Sequence, residues 1–517
     1  MNTITTPDSP TFESLQLEII QLKTKLAWYE EQFRLYQHKK FGSSSERFED
    51  QGLLFNEAEE LAEEATEEEQ EPETQTIEAH QRKKPVRKTL SEDLPRDVVT
   101  LDVSEEEKQC DCCGKELQAF GHESSCKLDI VPAQVKVIEF QRLKYRCECE
   151  SGVKTAPMPK LPIPKSIATP GLLAWIITSK YCDALPLYRQ EFILKRMGVE
   201  IRRASMAEWM IRVSVLLQPL YDTLQKMLVK QPCIQADETP LQVLNEPDRT
   251  PQNKSYMWLY RTTGQLGSPV VLYNYQSGRD HGRPQAFLSG FSGYLQCDGL
   301  PAYKTLSSKQ PEIELVGCLA HARRKFKEAL DAIPKKKGVP QTKVSKPAQV
   351  LNMIQTLYAI ERRIKDKSVE ERFQIRQSES RPVMDKLKKW LDRQQPKIAP
   401  KSRLGKAITY AQNQWSYLMR YLDSGLLDID NNAAERAIKP FVIGRKNWLF
   451  AQCVDGAKAS AVLYSLIETA KANGLEPYAW FRYVLSKLPQ LSKGSSVEHL
   501  LPMKLTQDDL KIADWWK

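Results

Sequence analysis

Two short apolar runs in this chain each stop at an aspartate: Cys233-Ile-Gln-Ala-Asp237, and Gly293-Tyr-Leu-Gln-Cys-Asp298 followed by Gly299. An ionised carboxylate is costly to bury alone, so such runs read as strands that release their acid where the strand ends. Neighbouring strands of one sheet would bring both acids to the same edge, where they could share a cation. Further strands are expected at 256–262, 270–275 and 313–318. A third carboxylate, Glu435, lies in Asp430-Asn-Asn-Ala-Ala-Glu-Arg-Ala-Ile438, which reads as a helix start capped by Asp430 or Asn431 with Glu435 in its second turn. Glu238, next to Asp237, is expected to face the other way.

Three acids suit one chemistry in particular. Two magnesium ions carry four positive charges, which clustered carboxylates offset and bridge. One ion lowers the pKa of an attacking water or 3′-hydroxyl, and the other stabilises the leaving oxygen. No protein nucleophile is needed, and the sequence has neither a G-x-S-x-G elbow nor a phosphate-cradling G-x-x-x-x-G-K-[ST] loop. A strand-ending aspartate alone is commonly a turn former. The nearby Cys318-Leu-Ala-His321 and Arg323-Arg-Lys325 strengthen the catalytic reading. His321 either contacts the scissile phosphate or a metal-bound water, or caps a helix. Lys439 shares the helix face of Glu435, and with Arg445 and Lys446 is a candidate phosphate contact, as are Arg323 and Arg324.

The charge balance agrees with a polyanionic partner. The net charge of +9 understates the basic character, because residues 57–78 hold eleven acidic side chains and no basic one; without them the remainder carries +20. Nucleic acid is the common partner of such a surface. The most apolar short run, 171–178, is far too short to cross a bilayer, and no secretory signal is visible, so a cytoplasmic protein with no membrane partner is expected.

At 517 residues, several domains are expected. Residues 1–48 read as a coiled-coil-like helix: Leu15, Leu22, Tyr29 and Tyr36 recur every seven residues, with Ile19, Leu26 and Phe33 between them. Such a seam pairs with a second copy, giving a homo-oligomer, or folds back on its own chain. Residues 49–90 read as a charged, solvated linker. Residues 157–230 combine stretches 171–197 and 205–228 around Gly198, a helix-turn-helix-like pattern capped by Ser205 with Arg202 and Arg203 at its second helix; DNA binding and plain packing both remain open. Strand texture occupies 231–321, a basic helical insertion 322–424, a second part of the same core 425–475, and a C-terminal element 476–517.

Residues 91–156 hold Cys110-Asp-Cys-Cys113 and Cys147-Glu-Cys149 among strand-like runs such as 135–140. Two thiolate pairs can complete one structural tetrahedral zinc site, drawn as Cys110, Cys113, Cys147 and Cys149, with Cys112 a spare or a substitute.

Read together, these segments resemble the transposases of the insertion sequence sixty-six group, the TnpC-type large subunit. The resemblance rests on FGSSSER, the cysteine module, YCDALPLYRQEFILKRMGVEIRRASMAEW, QADETPLQV, GYLQCDGLPAY, CLAHARRKF and DNNAAERAIKPFVIGRKNWLF, and spans nearly the whole chain. It implies a multidomain α+β protein with an RNase H-like α/β catalytic core, interrupted by a helical insertion, and a DDE triad at Asp237, Asp298 and Glu435. It also implies two Mg2+ or Mn2+ ions at the triad, cleavage at the element's terminal inverted repeats, joining of the 3′-hydroxyls to target DNA, and accessory proteins of the same element. The second cysteine pair is one residue short of the family's CxxC. The rival readings are an RNase H-like nuclease or resolvase that cuts without joining, a non-catalytic zinc and helix-turn-helix DNA-binding protein, and a tyrosine recombinase.

Overall fold

In the computed structural model the described residues are 134–146, 153–264, 267–333, 344–492 and 494–511. The heptad segment, the acidic linker, Cys110, Cys112, Cys113, Cys147, Cys149, Lys335 to Lys337 and the terminal tryptophans lie outside them. The chain divides into two units, residues 65–138 and the remainder. Residues 135–140, expected to be strand-like, adopt no regular structure; their side chains are mostly exposed, so nothing holds them in a ladder. Next come two three-residue strands, β1 (Lys144–Arg146) and β2 (Val153–Thr155), which pair antiparallel.

Three helices follow: α1 (Pro170–Tyr181), α2 (Leu187–Arg196) and α3 (Arg203–Leu228). The stretch 171–197, read from its periodicity as one helix, is thus two. Pro186 lacks the N–H a continuous helix needs and occupies the N-cap of α2. Ser205 is not the cap of α3. The N-cap residue is Arg202, and the carboxylate of Glu191 on α2 accepts the Arg203 N–H at 3.2 Å, a tertiary cap replacing a local one. Helix α1 is apolar all round, as befits a helix buried on most sides; Leu173, Ala174, Ile176 and Ile177 are fully buried. The buried residues of α1 and α3 belong to the same core as the sheet.

That sheet has six strands: β3 (Cys233–Asn245), β4 (Lys254–Thr262), β5 (Val271–Gln276), β6 (Gly293–Gln296), β7 (Ile313–Val316) and β8 (Ala451–Cys453). Its order is β5-β4-β3-β6-β7, with β8 pairing the far end of β3. β3, β4 and β5 are antiparallel in sequence, while β6 and β7 run parallel to β3. Helix α4 (Gly282–Phe287) precedes β6, and α5 (Pro301–Lys309) joins β6 to β7.

The strand expected to stop at Asp237 continues to Asn245. Antiparallel pairing with β4, from Ile234↔Thr262 to Gln242↔Lys254, sustains it through a polar stretch. Pro240 falls where β3 has lost β6 and has not yet met β8, so only one side of the strand is laddered.

After β7 come α6 (Leu319–Asp331), α7 (Lys346–Arg363), α8 (Val369–Ile375), a π-helical turn (Arg376–Ser380), α9 (Arg381–Gln394), α10 (Arg403–Asn413) and α11 (Trp415–Met419). They build a second core around Phe326, Ile354, Leu357, Trp390 and Leu391. The π-helical turn presents Arg376, fully buried. It donates to both Glu361 oxygens, at 2.8 and 2.6 Å, and to the carbonyls of Tyr421 and Ser424, at 3.0 and 2.7 Å.

The chain then re-enters the first core with α12 (Asn432–Trp448), β8, α13 (Val454–Ala472) and α14 (Pro477–Lys487). Helix α13 covers the edge strand β5 with hydroxyls. Ser465 accepts the Tyr273 N–H at 2.7 Å, and Thr469 bonds both the N–H and the carbonyl of Val271, at 3.0 and 2.9 Å. No helix among the described residues is long and apolar enough to cross a membrane.

Candidate active site at the sheet edge

The parallel pairing of β3 with β6 ends at Gln235↔Gln296, so Asp237 and Asp298 each stand two residues past the same rung. Strand register alone therefore brings the two acids to one edge. Asp298 falls just after its strand, as the sequence suggested, and accepts the Leu300 N–H at 2.9 Å. Asp237 lies within its strand, and its Oδ1 accepts the Glu238 N–H at 2.8 Å.

Helix α12 is pinned onto β3. The Asn431 side chain donates to the carbonyl of Ala236 at 2.8 Å, the residue before Asp237. Asp430 accepts the Asn432 N–H at 3.0 Å, and Asn431 is the N-cap residue without a side-chain capping bond. The helix begins at Asn432, as a cap at Asn431 implies, and Glu435 falls in its first turn rather than its second. It is 2% exposed. His321, in the first turn of α6, approaches it with Nδ1 at 3.7 Å from Oε1.

The electrostatics are those of crowded, desolvated acids. Burial, then the neighbouring charges of Glu238, Glu435 and Asp298, push the Asp237 carboxyl well above its ordinary range. Asp298 is raised by burial, partly offset by its backbone bond and by Arg279. Glu238 is raised to about 7 by burial and by Asp298, despite its ion pair with Arg279. The His321 imidazole is lowered to about 3 by burial and then by Arg324 and Lys325, so it stands neutral.

Among the described residues, Asp237 Oδ2 is buried with no hydrogen-bond donor. An acceptor left so costs about 1–3 kcal/mol, more when charged, and a hard divalent cation satisfies it. The all-oxygen donor set of Asp237, Asp298 and Glu435 fits such an ion.

The remaining predicted residues distribute unevenly. Arg445 donates to the Thr239 hydroxyl at 3.2 Å, two residues beyond Asp237. Lys439 and Lys446 lie on the same helix, half-buried and exposed respectively, and Arg323 and Arg324 are half-buried on α6. Arg202 and Arg203 are exposed at the start of α3, where Arg203 lies over the Tyr188 ring.

Sequence reasoning missed a support network. Arg279 clamps Glu238 through Nε at 2.9 Å and through Nη2, and the Tyr303 hydroxyl donates to the same carboxylate at 3.3 Å. On the other flank Gln235 donates to Asp428 at 3.0 Å and Gln296 donates to the Asp428 carbonyl at 2.6 Å. The two glutamines, one per strand, were the available signal: buried polar residues at equivalent places in two apolar runs.

A mixed sheet thus gathers Asp237 and Asp298 at the end of a parallel strand pair, beneath a helix whose first turn carries Glu435 close enough to raise the Asp237 carboxyl. The chain belongs to the IS66 family of transposases: residues 165–459 match the model described as Transposase IS66 family. Residues 465–503 match the IS66 C-terminal element, 107–150 the zinc-finger binding domain of transposase IS66, and 28–99 the transposase C of IS166 homeodomain. Two similar relatives are uncharacterised proteins of Sinorhizobium fredii. Protein y4jD is 36% identical, covering 82% of this chain and 83% of its own length; y4qI is 35% identical, covering 79% and 76%. No solved structure matches.

Proposed function

We propose that this chain is a DDE transposase that cleaves DNA at the ends of its element and joins the freed 3′-hydroxyls to target DNA, with Asp237, Asp298 and Glu435 as the catalytic acids. The observation that carries the reading is the shared register of Asp237 and Asp298 beneath the pinned start of α12. The strand order, three antiparallel strands followed by two parallel ones, supports an RNase H-like core built from 231–321 and 425–475 around the insertion 322–424.

The three carboxylates would hold two Mg2+ or Mn2+ ions, which when bound supply charge for activating the attacking hydroxyl and stabilising the leaving oxygen. The protein's own part is positional. Register fixes two acids, α12 aims the third, and neutral His321 at 3.7 Å from Glu435 is placed to touch the phosphate or its water. Arg323, Arg324, Lys439, Arg445 and Lys446 line the approach as phosphate contacts, with Arg202 and Arg203 as a separate contact on α3. Cys110, Cys113, Cys147 and Cys149 bind one structural zinc. The N-terminal helix supports self-association on terminal-repeat DNA, with accessory proteins of the element assisting.

The test is strand transfer by purified protein on labelled element ends with magnesium, comparing wild type with Asp237→Ala, Asp298→Ala and Glu435→Ala while following DNA binding. Loss of joining with binding intact in all three supports the triad. Activity surviving any one substitution overturns it, and cleavage without joining selects the nuclease reading.

A further inference from the structure

Beside the oxygen-only triad lies a cluster of different chemistry. The Cys318 thiol, a ring nitrogen of His321 and a carboxylate oxygen of Glu435 all lie within 4.8 Å of one another. Cys318 is 3% exposed and Glu435 2%. Cys318 is the N-cap residue of α6 and His321 lies in its first turn, so a C-x-x-H spacing turns both side chains toward the start of α12.

We propose that Cys318, His321 and Glu435 form a site for a thiophilic divalent cation, zinc being the natural case, which shares Glu435 with the catalytic acids and therefore competes with them. Zinc takes cysteine sulfur at ~2.3 Å and histidine nitrogen at ~2.0–2.1 Å in a tetrahedron, which places ligand atoms between about 3 and 4 Å apart. The His321 to Glu435 approach of 3.7 Å already meets this. Cys318 Sγ accepts the Asn431 N–H at 3.2 Å, the kind of backbone bond that steadies a metal-bound thiolate. His321 Nδ1 is buried with no hydrogen-bond partner.

One thiolate, one carboxylate and one neutral imidazole balance the two charges of zinc. Magnesium prefers oxygen ligands, and a thiol gives it nothing. A carboxylate held by zinc is withdrawn from magnesium, so free zinc would switch off cleavage. That competition rests on the triad reading, whereas the site itself does not.

The test is titration of the full-length reduced protein with Co2+, reading the near-ultraviolet thiolate-to-cobalt band and the visible d–d bands. Wild type is expected to bind about one equivalent more than Cys318→Ser or His321→Gln, with the cysteine module filled equally in all three. Folding of each variant is checked by melting, so either one suffices. Equal equivalents in wild type and a folded variant overturn the proposal. In the activity arm, Cys318→Ser should raise the zinc concentration that inhibits magnesium-dependent joining by roughly tenfold or more. Unchanged zinc inhibition in that variant overturns the competition. A protein that takes the extra cobalt while its activity survives Asp237→Ala or Asp298→Ala refutes the triad reading and leaves the soft site standing, and the reverse result separates the two in the other direction.

Discussion

The Tyr358 hydroxyl on α7 donates to Asp430 Oδ2 at 2.8 Å, and the other oxygen of the same carboxylate receives the Asn432 N–H. A residue on the helices of the second core thereby holds the group that starts the Glu435 helix. Tyr358→Phe removes that one bond while keeping the ring. We expect a stability loss of about 1 kcal/mol, DNA binding unchanged, and a several-fold rise in the magnesium concentration needed for half-maximal joining. Magnesium titration of the variant reads this, and an unchanged requirement would show that these helices do not steer the third acid.

Arg376 binds Glu361 and two carbonyls of the segment leading into α12. Arg376→Met leaves the Glu361 carboxylate without that partner, and breaking a buried pair by removing one member costs about 3–5 kcal/mol. Urea unfolding should show a loss of that order. A variant as stable as wild type would mean the segment is held by packing alone.

The carboxylate cluster makes stability depend on pH with a definite sign. Asp237, Glu238 and Asp298 all have raised folded-state pKa values, with Glu238 moved from 4.5 to about 7. Below their unfolded pKa values they are protonated in both states and contribute nothing. The cost of holding these carboxylates charged while buried and crowded appears as pH rises through that window and is complete above the folded pKa values. A bound divalent cation offsets the same cost. Melting temperature should therefore rise on adding Ca2+ at pH 8 and respond much less at pH 5, a contrast that Asp237→Asn should reduce.

Gly293 opens β6 at φ +139°, and an added Cβ would stand 2.4 Å from the Pro232 carbonyl oxygen. The strand that delivers Asp298 thus depends on a residue without a side chain. Gly293→Ala should destabilise the protein by roughly 2 kcal/mol or more and lower joining further than binding, because β6 must shift along β3. Normal joining would show that β6 tolerates a change of register.

The placement of Asp298 after a strand and of Glu435 near a helix start was legible because the signals are local: an apolar run stopping at an acid, and a polar helix start. The full length of β3 was not, since its continuation past Asp237 is sustained by β4, which a single run of residues does not reveal. The cap of α3 failed for the same reason, being made by Glu191 from a different helix, whereas the break at Pro186 is visible in the sequence, although the periodicity reads through it as one helix. Cys318 stood beside His321 in a visible motif, yet its nearness to Glu435 depends on a fold that joins positions more than a hundred residues apart. Buried arginines such as Arg376 read in sequence as ordinary insertion charge.

The hydroxyls of Ser465 and Thr469 occupy the hydrogen-bonding groups of β5, and they are synthesised almost two hundred residues after it. A strand edge without such a cover is a template for pairing with other chains. An interrupted copy of the gene ending before α13 would therefore encode a chain that aggregates through β5, rather than a folded fragment that lingers on DNA and blocks the intact protein.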